Sequence, residues 1–117
     1  MHDLGARGEQ IAVNYLLAGG YEIMLRNWRL GVREIDIVAW RDVWVFVEVK
    51  TRVSERFGFP EEALTARKRR ALAAAIEDFI FAADLREDYR VDVVSILLHP
   101  GGLCLRELRH FQDVVLA

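Results

Sequence analysis

The sequence predicts one mixed α/β (α+β) domain over residues 1–117, with a central sheet flanked by helices. Three observations carry this. Apolar, β-branched or aromatic runs (Glu34 to Trp40, Val43 to Thr51, Val91 to Leu98) alternate with two longer segments of helical period (Asp3 to Leu17, Thr65 to Ala83). The order of elements is α-β-β-β-α-β-β, a pattern that builds layers rather than a bundle or a sandwich. A chain of 117 residues, 53% hydrophobic and 29% charged, suits a single core.

Each element has a local reason. Asp3 can cap the first helix, Leu4, Ile11, Ala12, Tyr15 and Leu16 supply an apolar stripe, and Gly19-Gly20 stops it. Tyr21 to Leu30 reads as a rather polar strand, suited to a sheet edge. The next two runs form a hairpin turning at Arg41-Asp42. Val53 to Glu62 is a loop punctuated by Gly58 and Pro60. Thr65 can cap the second helix, whose Leu72, Ile76, Phe79 and Ile80 fall on one face. After the strand Val91 to Leu98, Pro100-Gly101-Gly102 turns the chain into a last strand, Leu103 to Leu108.

Composition excludes some classes. No apolar run approaches the ~18 residues needed to span a bilayer. The first residues lack the basic and apolar regions of a secretory signal. Cys104 is the one cysteine, which rules out an internal disulfide and points to a reducing, cytoplasmic setting; flanked by Leu103 and Leu105, it reads as a small core residue. Net charge is −2, with pI near 5.9, which argues against a strongly basic nucleic-acid binder. The charge is uneven, however. Between Lys50 and Arg70 lie seven basic residues against three acids, a basic segment inside an acidic chain.

The hairpin carries the unusual feature. Glu34-Ile35-Asp36 and Glu48-Val49-Lys50 set charges inside otherwise apolar strands, and an unpaired buried charge costs several kcal/mol or shifts its pKa. Centring the hairpin on Asp42 pairs Trp40 with Trp44, Val38 with Phe46, Asp36 with Glu48 and Glu34 with Lys50, all on one face. Ile35, Ile37, Ala39, Val45, Val47 and Val49 then share the other. Opposed residues have Cβ atoms about 4.5–5.5 Å apart, so Asp36 and Glu48 repel unless a cation lies between them. Two acids and a lysine so arranged suggest a divalent-metal site with a basic group beside it, hence a phosphodiesterase, more specifically a nuclease. The alternative is a set of cross-strand salt bridges on a solvated face, with Glu34–Lys50 as one pair. Lysine usage adds a hint: among fourteen arginines, Lys50 and Lys68 are the two lysines. Coding bias toward arginine explains the ratio; at the site itself a compact ammonium, unlike guanidinium, can shift its pKa.

Asp followed after a short hairpin by Glu-x-Lys resembles the PD-(D/E)XK nuclease superfamily, whose restriction-endonuclease-like core has the order αβββαβ with a mixed sheet. More closely, the chain is similar to the YraN family of bacterial proteins. The pieces that match are Gly5-x-x-Gly8-Glu9, Gly20-Tyr21, Arg26-Asn27-Trp28-Arg29, Glu34-Ile35-Asp36-Ile37-Val38-Ala39, Phe46-Val47-Glu48-Val49-Lys50-Thr51-Arg52, Phe57-Gly58-x-Pro60, Lys68 and Arg90-Val91-Asp92-Val93-Val94. Two positions depart: Arg33 stands where the family usually has glycine, and the Arg41-Asp42 turn is short and lacks its glycine.

The resemblance implies a metal-dependent nuclease acting on DNA, including branched or damaged structures. Asp36 and Glu48 would ligate Mg²⁺ or Mn²⁺ with the carbonyl of Val49, and Lys50 would position a water or stabilise charge on the phosphate. Glu9 would join the metal directly or through water, or remain an ordinary exposed helix glutamate. Glu34 would hold Lys50 or Arg52, and Asp92 would sit in a structural salt bridge. Arg67, Lys68, Arg69 and Arg70 crowd the start of the second helix, where cations oppose the dipole and a phosphate would relieve them; with Arg52 they form the expected DNA contact. Trp40 and Trp44 suit a core or a homodimer contact at the hairpin tip. His2, His99 and His110 show no ligand spacing. Two other functions stand beside the nuclease: a nucleic-acid-binding module on the same fold without catalysis, and a protein-interaction or assembly factor.

Overall fold

The structure, a computed structural model, describes residues 3–54 and 58–116. Phe57 of the Phe57-Gly58-x-Pro60 piece, Arg56 of the basic segment and His2 lie outside the described residues. The elements are α1 (Leu4–Ala18), β1 (Glu22–Leu30), β2 (Arg33–Trp40), β3 (Trp44–Arg52), a 3-10 turn (Pro60–Ala63), α2 (Ala66–Ala83), β4 (Tyr89–Leu98) and β5 (Leu105–Phe111). The strands form one sheet in the order β1-β2-β3-β4-β5. Neighbours are antiparallel except β3 and β4, which run parallel. A parallel pair needs a long crossover, and the segment carrying α2 provides it. This mixed sheet with two helices is the α+β arrangement expected of a restriction-endonuclease-like core.

Each helix covers one face. Ala12, Val13 and Leu16 of α1 pack with Ile37, Ala39, Val45, Val47, Val94, Ile96 and Leu98. Leu72, Ala75, Ile76 and Phe79 of α2 pack with Ile35, Val38, Phe46 and Val91. Both N-caps form as their residue types dictate: Asp3 accepts from Ala6 N–H at 3.1 Å and Thr65 from Lys68 N–H at 3.3 Å. The β2–β3 turn does without glycine because Asp42 itself takes the left-handed conformation, φ 62°, which aspartate tolerates better than most residues.

Three expectations are corrected. The last strand is Leu105–Phe111, not Leu103 to Leu108. Two left-handed glycines, Gly101 and Gly102, and the bonds His99 N–H to Cys104 O and Gly102 N–H to His99 O keep 99–104 in a wide turn. Cys104 is therefore exposed rather than in the core. Ile35 and Ile37 do not share a face: they join the α2-side and α1-side clusters respectively, so strict alternation fails at Asp36.

Two glycines of the recurrent pieces are sterically required. A Cβ at Gly8 would overlap the Thr51 side chain, where α1 crosses β3. Gly58, at φ 95°, gives the room in which the Glu62 carboxylate takes Phe59 N–H at 2.9 Å. Glu61 then bonds Ser95 Oγ (2.7 Å) and Arg109 (2.9 Å), and Arg109 lies over the Phe59 ring, tying the 3-10 turn to the sheet.

Gly8→Ala should destabilise the fold by about 1–3 kcal/mol through overpacking, although alanine favours a helix by up to ~1 kcal/mol. Adding Thr51→Ala should recover part of the loss. Urea midpoints of the three proteins decide it, and an unchanged Gly8→Ala midpoint would refute the close crossing.

Candidate functional site

The hairpin has the expected register but not the expected length of pairing. The β2–β3 ladder runs from Trp40↔Trp44 to Ile37↔Val47 and stops there. One step further, where Asp36 would face Glu48, the Asp36 side chain instead accepts the Val49 N–H at 2.8 Å. In an extended strand a residue's N–H and C=O point toward the same neighbour. The Val49 carbonyl therefore also turns toward this seam. On the other flank of β2, Asn27 of β1 takes a left-handed φ of 53°.

The seam brings Asp36, Glu48 and Lys50 together. Burial, and after it the Glu48 carboxylate, push the Asp36 pKa up to about 7, against the pull of Val49 N–H and the Lys50 ammonium. Lys50 Nζ lies 3.1 Å from Glu48 Oε2, with both side chains largely buried. Two adjoining carboxylates, one of them holding its proton to near neutrality, are what like charges do when no cation separates them. The donor set thus fits a hard divalent ion: two carboxylates, the Val49 carbonyl turned toward them and room for the waters that Mg²⁺ retains. Among the described residues no three His, Cys, Asp or Glu side chains converge to hold an ion on their own.

Glu9 reaches the same neighbourhood. The Gly8–Thr51 contact sets α1 against β3, and Glu9, 7% exposed, lines a pocket of about 390 Å³ with Asp36 and Val49. Its carboxylate is held by Arg26 Nε at 3.2 Å and Asn27 Nδ2 at 3.0 Å. Glu34 pairs with Arg29 at 3.0 Å, not with Lys50 or Arg52. The correction follows from the splay: beyond Ile37↔Val47 no ladder sets Glu34 opposite Lys50.

The basic run does not form one face. Successive helix residues turn by about 100°, so the four separate. Lys68 lines a pocket of about 430 Å³ with Glu48, Lys50 and Arg33, which brings both lysines of the chain to one opening. Arg67 is exposed, and Arg69 donates to the Leu64 carbonyl at 3.5 Å. Arg70 lines a different cavity, about 560 Å³, beside Glu77 and Tyr89. That cavity is the larger one, but it lies away from the carboxylates. Arg52 is half-buried on β3, and its Nε has no hydrogen-bond partner.

A second polar cluster was only half legible. Asp92, fully buried, finds the partner its apolar strand demands: Arg90 Nε at 3.1 Å, with His110 Nε2 at 2.8 Å and Asp113 N–H at 3.1 Å. Burial raises its pKa, but these bonds outweigh burial and hold the carboxyl below its ordinary value. His110 continues to Tyr15 Oη at 2.8 Å. The signal in the sequence was the alternation of Leu108 and His110, which would have aimed the ring inward had the last strand been extended.

Family comparison follows the motif pieces. The model of "Uncharacterised protein family UPF0102" matches residues 8–96. A UPF0102 protein of Chlorobium phaeobacteroides is 40% identical, covering 96% of this chain and 92% of the relative. One from Caldanaerobacter subterraneus is 35% identical (92% and 89% covered), and one from Porphyromonas gingivalis 43% (90% and 78%). No helix among the described residues is long and apolar enough to cross a membrane.

The raised Asp36 pKa has a stability consequence. The folded value near 7 exceeds the ordinary 3.8, so the native state binds the extra proton between them and stability falls as pH rises across that window. Asp36→Asn keeps an acceptor for Val49 N–H and removes the charge. In urea titrations with chelator, its stability advantage over the parent should already be present at pH 5 and grow by about 2–3 kcal/mol by pH 8. A variant less stable than the parent at pH 8 would contradict the geometry.

Proposed function

The chain belongs to the UPF0102 family, and from the seam between β2 and β3 we propose that it is a metal-dependent nuclease hydrolysing phosphodiester bonds in DNA. One observation carries this reading: two partly buried carboxylates, Asp36 and Glu48, crowd together where a ladder breaks, with the Lys50 ammonium 3.1 Å from Glu48. A purely structural pair of charges would be opposite in sign; like charges in a buried seam make sense as ligands.

Asp36 and Glu48, with the Val49 carbonyl, are the groups that would hold Mg²⁺ or Mn²⁺. The ion, when bound, supplies Lewis acidity and a more acidic water. A cation there would offset the burial and the Glu48 charge that favour the Asp36 proton. The Lys50 ammonium would orient a water or meet charge on a phosphate oxygen. Lys68, across the same opening, is placed to hold an adjoining phosphate. Glu9, bound by Arg26 and Asn27, would act through a water rather than directly. Arg52 is a further phosphate donor only through its terminal nitrogens, since its unpartnered Nε is buried, and Arg67, Arg69 and Arg70 contribute at most on separate sides of α2. Branched or damaged DNA as substrate, a cytoplasmic setting and a homodimer through the half-buried Trp40–Trp44 pair belong to the same proposal. The second reading, DNA binding without cleavage, is favoured by one observation: Lys50 and Glu48 already neutralise each other.

Incubation with single-stranded, duplex and branched DNA in Mg²⁺ or Mn²⁺ should yield cleavage, reduced about a hundredfold or more in Asp36→Ala and Lys50→Ala. Cleavage that persists in both variants would place the chemistry elsewhere, and retention of DNA without cleavage would favour the second reading. Metal at a hundred times its Kd should stabilise the parent by about 2.7 kcal/mol, an effect absent from Asp36→Ala.

A further inference from the structure

We propose that the pocket where the end of α1 meets the β2–β3 turn is a second, separate site, for a phosphomonoester group. The pocket holds about 310 Å³ and is lined by Tyr15, Tyr21, Arg41, His110 and Gln112 together with the last turn of α1. It lies by the start of β3, whereas the acidic seam lies near its end, about 20 Å away at the rise of an extended strand. The inference does not rest on the nuclease reading.

Its side chains favour an anion, against the C-terminal carbonyls of α1 at its rim. No carboxylate lines it. The nearest buried acid, Asp92, is already met by Arg90, His110 and Asp113 N–H. Arg41 stacks over the Tyr21 ring, 5.3 Å from its centroid, and its guanidinium has no ion pair or hydrogen bond among the described residues. The cation–π contact draws the guanidinium to the ring while leaving its N–H groups open.

A second donor is buried and waiting. Tyr21 is 4% exposed, and its hydroxyl oxygen accepts from Arg90 Nη2 at 2.7 Å. Its own proton has no acceptor among the described residues, and a buried donor left unmatched costs about 1–3 kcal/mol. The wall opposite is rigid. In the tautomer with Nε2–H toward Asp92, Nδ1 accepts from Tyr15 O–H at 2.8 Å. The Tyr15 ring is also held edge-on to His110, centroids 5.4 Å apart. Tyr15 therefore shapes the pocket, while Arg41, Tyr21 and the Gln112 amide offer the donors.

Donors from three parts of the chain suit a tetrahedral group with three terminal oxygens better than a planar carboxylate with two. The volume exceeds that of a bare phosphate and leaves space for what the phosphate is attached to. A free nucleotide and the 5′ end of a strand present the same group.

Calorimetric titration of the full chain with inorganic phosphate, AMP, and a short oligonucleotide bearing either a 5′-phosphate or a 5′-hydroxyl tests the site, with the His110 ring signals followed by NMR. Saturable binding of phosphate and AMP is expected, weakened tenfold or more in Arg41→Ala and in Tyr21→Phe, unchanged in Asp36→Ala, and accompanied by a shift of the His110 resonances. A preference for the 5′-phosphate strand over the 5′-hydroxyl strand identifies a strand end as the ligand; equal strand binding with AMP retained identifies a free nucleotide. Arg41 is exposed, so its alanine variant keeps the fold and stays informative if Tyr21→Phe does not. No saturable binding, or binding that survives Arg41→Ala, would overturn the proposal.

Discussion

The bond from Val49 N–H to the Asp36 carboxylate, 2.8 Å long, replaces what would have been the next rung of the β2–β3 ladder. Much follows from that substitution. The ladder ends at Ile37↔Val47. The alternation of β2 breaks, so that Ile35 and Ile37 feed opposite cores. The Val49 carbonyl turns into the opening. A carboxylate is left against Glu48 in a site where solvent relieves it only in part. A sheet with an unbroken ladder here would be more stable and would have no site, a trade that functional regions of proteins make often.

A fully buried aspartate and a partly buried one show what environment does to one residue type. Asp92 accepts from Arg90, His110 and a backbone N–H, and stays ionised below its ordinary pKa. Asp36 accepts one backbone N–H and is pushed up to about 7 by its burial and then by the Glu48 charge beside it. The first is a finished structural network that ties β4 to β5 and, through Tyr15, to α1. The second lacks one positive charge. The same chain completes one network and leaves the other short, which is a reason to read the second as a place for something the chain does not itself supply.

Most of the fold was legible because local signals agreed with one another. The caps at Asp3 and Thr65, the glycines after α1 and the β-branched runs fix elements by short-range chemistry. The hairpin register was legible because side-chain period and turn position leave one solution. What failed was non-local. The splay at Asp36 depends on β1 and β3 at once, so alternation alone put Ile35 on the wrong face and joined Glu34 to Lys50. The last strand is a polar edge, and its inward His110 depends on a partner on α1, 95 residues away in sequence. The basic run Arg67 to Arg70 read as a patch, but helix geometry distributes it. Of the site, Asp36, Glu48 and Lys50 were legible from spacing; the reason for Gly8, a Thr51 side chain on another element, was not.

The charge of the chain acquires a spatial meaning at the seam. A net charge of −2 argues against nucleic acid when it is taken as an average. The structure divides it. The opening on the α1 side is lined by four carboxylates (Asp3, Glu9, Glu34, Asp36) against two guanidinium groups. The opening toward α2 is lined by Arg33 and both lysines against Glu34 and Glu48. Potentials of opposite sign thus flank one pair of carboxylates, and clefts lined by one sign concentrate the opposite ion. On the proposed function, a cation is drawn to one mouth and a phosphate backbone to the other, and they meet where Asp36 and Glu48 stand. On that proposal, an acidic average charge is compatible with an acidic polymer, because the carboxylates are gathered at one mouth and the lysines at the other.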